Sequence, residues 1–137
     1  MPSIEESIET ALFTRANGLA ALTGLAISWP NVSFTAPLSG RYLRVSHLPN
    51  QTQRLFINSA AHRRPGILQI SVVVPLNVGA SAATRMAGQV AEHFPMDLRM
   101  TPGGVSVRVT KAPDIAPALK EDAAWIVPVS VSYEALT

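Results

Sequence analysis

Tyr42-Leu43-Arg44-Val45-Ser46-His47-Leu48 and Ile67-Leu68-Gln69-Ile70-Ser71-Val72-Val73-Val74 both alternate with the period of two expected of a half-buried strand. Between them, Pro49 to Gly66 is polar, carries Arg54, Arg63 and Arg64, and contains no acid. Hairpin loops usually run to about 2–5 residues, and longer loops in compact domains are commonly functional or disordered. The stretch from Arg41 to Pro75 thus reads as a strand, an oversized loop and a second strand, with the rest of the chain arranged around them. Within the loop, Leu55-Phe56-Ile57 is an apolar run in polar surroundings. Such a run is a liability when exposed on a monomer and an anchor when buried against a partner. Two readings stay open: the run folds back on its own domain, or Arg54, Leu55, Phe56, Ile57, His62, Arg63 and Arg64 contact another subunit or protein.

N-terminal to this unit, Ser3-Ile4-Glu5-Glu6 is a capping box, and Glu5, Glu6 and Glu9 suit the positive end of a helix. Ile4, Ile8, Ala11 and Leu12 fall on one helical face. The helix ends at Asn17-Gly18 or continues through Leu19–Thr23 to Gly24. Leu25 to Trp29 reads as a short strand. Pro30, Pro37 and Gly40 make the next segment an irregular connection, from which Phe34 is expected to pack onto the core.

C-terminal to the unit, Asn77-Val78-Gly79 turns the chain into a second helix over Ser81 to His93. Its apolar side is Ala83, Met86, Ala87, Val90, Ala91 and Phe94. Leu98–Thr101 and Val105–Thr110 form a hairpin around Pro102-Gly103-Gly104. A proline-punctuated link, Pro113 to Asp122, leads to a last strand that buries Trp125, Val127, Val129, Val131 and Tyr133. Pro128 on that strand argues for an edge or a nearby bulge. Mostly local strand connections predict a single α+β domain over residues 1–137, an antiparallel-rich mixed sheet covered by two helices.

Composition narrows the function. A chain of 137 residues with 47% apolar content makes one domain with a real core. It has no cysteine, so neither disulfides nor thiolate metal sites are available. No apolar run approaches the roughly 20 residues that span a bilayer, and the acidic N-terminus is unlike a signal peptide. A soluble protein kept in a cytoplasm, or released by lysis, is expected. The net charge of +2 hides an asymmetry: Thr10 to Ala91 has seven arginines and no acid, while all nine acids lie in the two ends. Clustered arginine fits nucleic acid; it fits better a positive surface meeting a negative surface on a neighbouring subunit, and ordinary solvated charge is the third reading.

Catalytic patterns are weak. His47, His62 and His93 show no metal-ligand spacing, no serine sits in a GxSxG elbow, and Pro102-Gly103-Gly104 lacks the P-loop frame. No catalytic, cofactor-binding or metal residues are assigned. The arginines are not interleaved with stacking aromatics, as a single-strand nucleic-acid groove requires. A small ligand pocket lined by His47, His62 or Arg64 remains an alternative of a different class.

Taken in order, several segments resemble a known family of small phage proteins. They are the capped N-terminal helix, Trp29-Pro30-Asn31, Tyr42-Leu43-Arg44-Val45, and His62-Arg63-Arg64-Pro65-Gly66-Ile67-Leu68-Gln69. Ala91-Glu92-His93-Phe94-Pro95 and Asp122-Ala123-Ala124-Trp125 with its valine-rich strand complete the set. The chain resembles the tail terminators of long-tailed, lambda-like phages and of prophage-derived particles such as gene transfer agents. The resemblance implies a tail-tube-like fold and a structural, non-enzymatic role. It implies a homohexameric ring that caps the tail tube, stops its polymerisation and joins the tail to the head. Its partners would be its own copies, the tail tube protein and the head–tail connector protein, with no cofactor, no membrane and DNA only passing through the lumen. The place implied is the head-proximal end of the virion tail, after assembly in the host bacterial cytoplasm. Another head–tail connector or tube-like ring component shares the same gross pattern and stays as the alternative.

Overall fold

The computed structural model describes residues 3–55, 62–121 and 123–136. Helix α1, Ile4–Asn17, starts where Ser3 Oγ accepts a hydrogen bond from the Glu6 amide at 3.1 Å, the capping-box geometry. Both expected stops are used. Gly18 is helical in φ and ψ and merely separates α1 from the short α2, Leu19–Thr23, which ends at left-handed Gly24. Strand β1, Ala26–Ser28, follows.

The two opening strands are β2, Tyr42–Pro49, and β4, His62–Pro75, and they pair antiparallel with Leu43 opposite Val72. The connection is shorter than it reads. A two-residue strand, β3, Gln53–Arg54, pairs with Arg63 and His62, so the hairpin continues outward as an arm. Helix α3 spans Ser81–His93, as its periodicity requires. The hairpin β5, Arg99–Met100, and β6, Val107–Val109, comes next, with Gly103 and Gly104 at positive φ. The proline-rich link contains β7, Asp114–Ile115, and β8, Leu119–Glu121, before the long β9, Ala124–Leu136.

Among the described residues the sheet runs β1-β2-β4-β9-β6-β5, with β3 beside β4 and with β7 and β8 beside β9. Among the described pairs, β1–β2 alone is parallel. The long helices, α1 and α3, cover one face. That face carries Leu43, Val45, Leu68, Ile70, Val72, Val74, Val127, Val129, Val131 and Tyr133, all buried with Leu12, Val90 and Phe94 in one core. The other face bears Ser46, Gln69, Ser71, Ser130 and Ser132, and among the described residues no helix lies over it.

Two local expectations are corrected. Strand β9 is central, not an edge: β4 lies along one side, and β6, β7 and β8 follow one another along the other. Pro128 is tolerated because it falls in the gap between β7 and β8, where its carbonyl accepts from the Ala116 amide at 2.9 Å. A residue's N–H and C=O point to the same side of an antiparallel strand, so the missing N–H faces the same gap. Phe34 does not join the core. It packs on Tyr42, ring centroids 4.9 Å apart, and Tyr42 pairs with Val73 on the helix-free face.

Gly66 lies opposite Tyr133 on the core face, and a Cβ there would run into the tyrosine ring and hydroxyl. Replacing Gly66 with Ala should therefore destabilise the domain by about 1–3 kcal/mol, the usual cost of overpacking. Denaturant unfolding of the variant measures it, and an unchanged midpoint would contradict the packing described.

Candidate assembly surface

The arm is held at its base by ion pairs on both faces of the sheet. On the helix-free face, Arg63 Nε donates to Glu134 Oε2 at 2.5 Å and its Nη1 donates to Gln53 at 3.0 Å. Arg108 reaches the other oxygen of Glu134 at 2.6 Å and Asp97 at 2.7 Å. Glu134 is thus shared by two guanidinium groups while its side chain is only 11% exposed. The bonds from Arg108 and then Arg63 hold its carboxyl below the usual glutamate value.

On the helix side, Arg64 points the other way and donates to Glu5 of α1 at 3.2 Å. One helical turn along, Glu9 Oε2 lies 3.1 Å from His47 Nδ1, and His47 Nε2 lies 2.5 Å from the Tyr133 hydroxyl. Burial first, then the charge of Glu9, pushes the Tyr133 hydroxyl up to about 12. It therefore stays protonated at neutral pH, and the imidazole bridges it to the Glu9 carboxylate. An acid, an imidazole and a hydroxyl in line look like a catalytic relay. The hydroxyl's acidity is shifted away from what a nucleophile needs, however, and the array ties α1, β2 and β9 together.

A second clasp joins α1 to α3. Arg15 donates through Nε and Nη2 to the His93 carbonyl at 3.0 and 2.8 Å, and His93 Nε2 donates to the Arg15 carbonyl at 2.8 Å. Each residue thereby satisfies a carbonyl near the end of the other's helix. Burial holds the His93 pKa below its ordinary value.

The residues singled out from the sequence separate into two groups. Arg63 and Arg64 form the base, engaged with Glu134 and Glu5, and His62 begins β4 opposite Arg54. Arg54 and Leu55 lie further out, Leu55 being 38% exposed. Phe56 and Ile57 lie outside the described residues. The sequence reading did not find the Glu9–His47–Tyr133 array, because nothing in the spacing of three residues so far apart announces it. Among the described residues, no group of three His, Cys, Asp or Glu could hold a metal, and no helix is long and apolar enough to cross a membrane.

Comparison with known proteins agrees with this fold. The family model described as phage tail terminator protein matches residues 7–133. The chain belongs to the phage tail terminator family. One similar solved structure, 29% identical, superposes with a TM-score of 0.80 and covers 98% of this chain and 96% of that one. A chain from the virion of a native gene transfer agent particle is 16% identical, with a TM-score of 0.64 over 99% of this chain and 98% of its own. The second likeness shows a shared fold. No curated protein matches. The chain is accordingly a structural protein of the phage tail type, and its surfaces are to be read for assembly.

Buried His93 and the ion-paired Glu134 each predict a loss of stability toward acid. His93 has a lowered folded pKa, so its contribution to stability is full above its ordinary value of 6.5 and is lost as pH falls through the folded value. Glu134 behaves likewise lower down, full above 4.5 and lost below it. Thermal melts from pH 8 to pH 3 should show both declines. Glu134→Gln should flatten only the acidic one and His93→Gln only the one beginning near neutrality.

Proposed function

We propose that this tail terminator family member assembles as a homohexameric ring on the head-proximal end of a tail tube. The ring stops tube polymerisation and presents its other face to the head–tail connector, with DNA passing through the lumen. Assembly takes place in the host bacterial cytoplasm, and the ring remains in the virion. The observation that carries this reading is the match to the terminator family over nearly the whole chain. The role is mechanical and not catalytic, and His47, Tyr133 and Glu9 act as a clamp.

The arm supports the reading. Its base is fixed by Arg63 and Arg64, so β3 and the adjoining Leu55 are held in place before any partner arrives. Arg54 and Leu55, with Phe56 and Ile57, are the proposed contact residues, and His62, Arg63 and Arg64 position them. A rigid base beneath a contact segment reduces the ordering cost of association. A head-to-tail contact of this kind closes into a ring when its rotation closes.

Native mass spectrometry and negative-stain images, with and without tail tubes, test the ring directly. Leu55→Asp should leave unfolding within about 0.5 kcal/mol of the unaltered protein, as surface changes usually do. It should weaken ring formation or tail attachment roughly tenfold or more, the scale of a central interface residue. A chain that stays monomeric even with tubes present would overturn the proposal. Continued tube growth after its addition to tails lacking a terminator would assign it instead to another connector or tube-like ring.

A further inference from the structure

Two exposed charges of opposite sign sit where their local surroundings oppose them. The first is Arg99. Glu134, Arg108 and Arg99 form one row across β9, β6 and β5, so the charges run minus, plus, plus. Like charges directly opposite each other on a sheet are destabilising. Arg108 meets Glu134 and Asp97, and the other oxygen of Glu134 is held by Arg63. Arg99 has no ion pair among the described residues. Arg99 also borders a hollow of about 350 Å³ on the helix-free face, lined by Ser106, Arg108, Glu134 and exposed Leu136. Strand β5 ends the path of described strands, so the hollow lies at the margin of the sheet. A guanidinium lacking a counter-charge, with a hydroxyl in the same hollow, suits one incoming carboxylate side chain.

The second is Glu92, in the last turn of α3, where the helix dipole disfavours a negative charge. It is exposed, and it too has no ion pair among the described residues. One turn back along the helix, Gly88 and Gln89 offer no cation. Glu6 is the other described acid without an ion pair, but it lies in the first turn of α1, where the dipole already favours it. Val90 is buried, and Glu92 lies ~200° around the helix from it, pointing away from the core. Arg99 instead shares the helix-free face with Arg108 and Glu134. The two charges thus face outward on opposite sides of the molecule, the arrangement of a head-to-tail contact between copies.

We infer that Arg99 and its hollow receive the Glu92 carboxylate of a second copy of this chain. The guanidinium donates to the carboxylate, the Ser106 hydroxyl lies alongside, and Leu136 packs on the glutamate stem. Each copy gives one partner its Glu92 and offers the other its Arg99, so both local conflicts are relieved at once. The inference rests on the proposed ring and supplies one contact between its neighbours.

Charge reversal in the full chain separates this contact from a role in folding. Arg99→Glu places an acid opposite Arg108, and Glu92→Arg places a cation at a helix C-terminus. Both changes should therefore leave the denaturant unfolding midpoint unchanged or raise it. Each should nevertheless weaken oligomer formation, followed by native mass spectrometry, roughly tenfold or more, because like charges then meet across the contact. The variant carrying both changes should assemble again. An equimolar mixture of the two single variants should also assemble, since alternating copies place opposite charges at every contact. Single variants that assemble like the unaltered chain would overturn the contact and leave the ring intact. Weakening that neither the double variant nor the mixture restores would overturn the pairing of these two residues. A lowered midpoint that accounts for the lost assembly would overturn it by assigning the charges to the fold. A chain that stays monomeric under all conditions, tubes included, would remove the ring and the contact together.

Discussion

The pairing of β4 with β9 is the constraint on which the rest depends. Register runs unbroken from Arg63 opposite Leu136 to Pro75 opposite Ala124. Its core face stacks Leu68 with Val131, Ile70 with Val129 and Val72 with Val127, so a slip of one residue would turn that row outward and bring serines in. Two positions pin the register further. Gly66 must face Tyr133, since no side chain fits there, and Pro128 must face the gap in the strands beside β9. A change to either strand is therefore felt by the sheet, by the helix packing and by the arm, because the arm is the outward end of β4.

The helices are fixed to this sheet by an apolar interior and polar margins. Helix α1 contributes Ile8, Ala11, Leu12 and Ala16, of which two are alanines, so it lies close to its neighbours and buries modest apolar area. Glu5–Arg64, Glu9–His47–Tyr133 and Arg15–His93 add directional contacts at three successive levels along it. Hydrogen bonds of this kind each contribute about 1 kcal/mol net, and more when charge is involved. Their larger effect is to define rotation and height, which apolar contacts alone leave loose. Close packing appears again where the β5–β6 turn meets α1: a Cβ on Gly103 would strike the Ser7 carbonyl, so this turn needs glycine for space as well as for its positive φ.

Much of this was legible in the sequence because periodicity reports burial. Strands β2, β4 and β9 and helix α3 announce themselves through alternation or helical spacing, and Ser3–Glu6 announces the start of α1. Strands β3, β7 and β8 do not, since two or three residues carry no period and their pairing is imposed by a long neighbour. Pro128 misled for a related reason. A proline limits only the side of a strand toward which its nitrogen points, and the interruption on that side, near Ala116, lies more than ten residues away in sequence. The arm was legible as a place through its length, charge and apolar run. The pairing of Arg63 with Glu134 and of Arg64 with Glu5 was not, because ion pairs between distant segments leave no trace in spacing.

The two margins of the sheet bear on how such a subunit associates. Beside β9, the margin formed by β5 outside β6 and then by β7 and β8 is broken into short pieces, with Pro113 and Pro117 between β6, β7 and β8, and cannot template a continuous ladder with another chain. On the opposite side, β1 covers β2 only from Tyr42 to Arg44, and Glu9 of α1 closes on His47 next to the uncovered part. Indiscriminate edge-to-edge growth is thus disfavoured at one margin by prolines and at the other by a short edge strand and a charged helix. A protein whose proposed task is to halt a polymer needs association at defined surfaces and nowhere else. Contact through the proposed arm, away from the open edges, would meet that need: side-chain recognition can close a ring, whereas a free strand edge would go on adding partners.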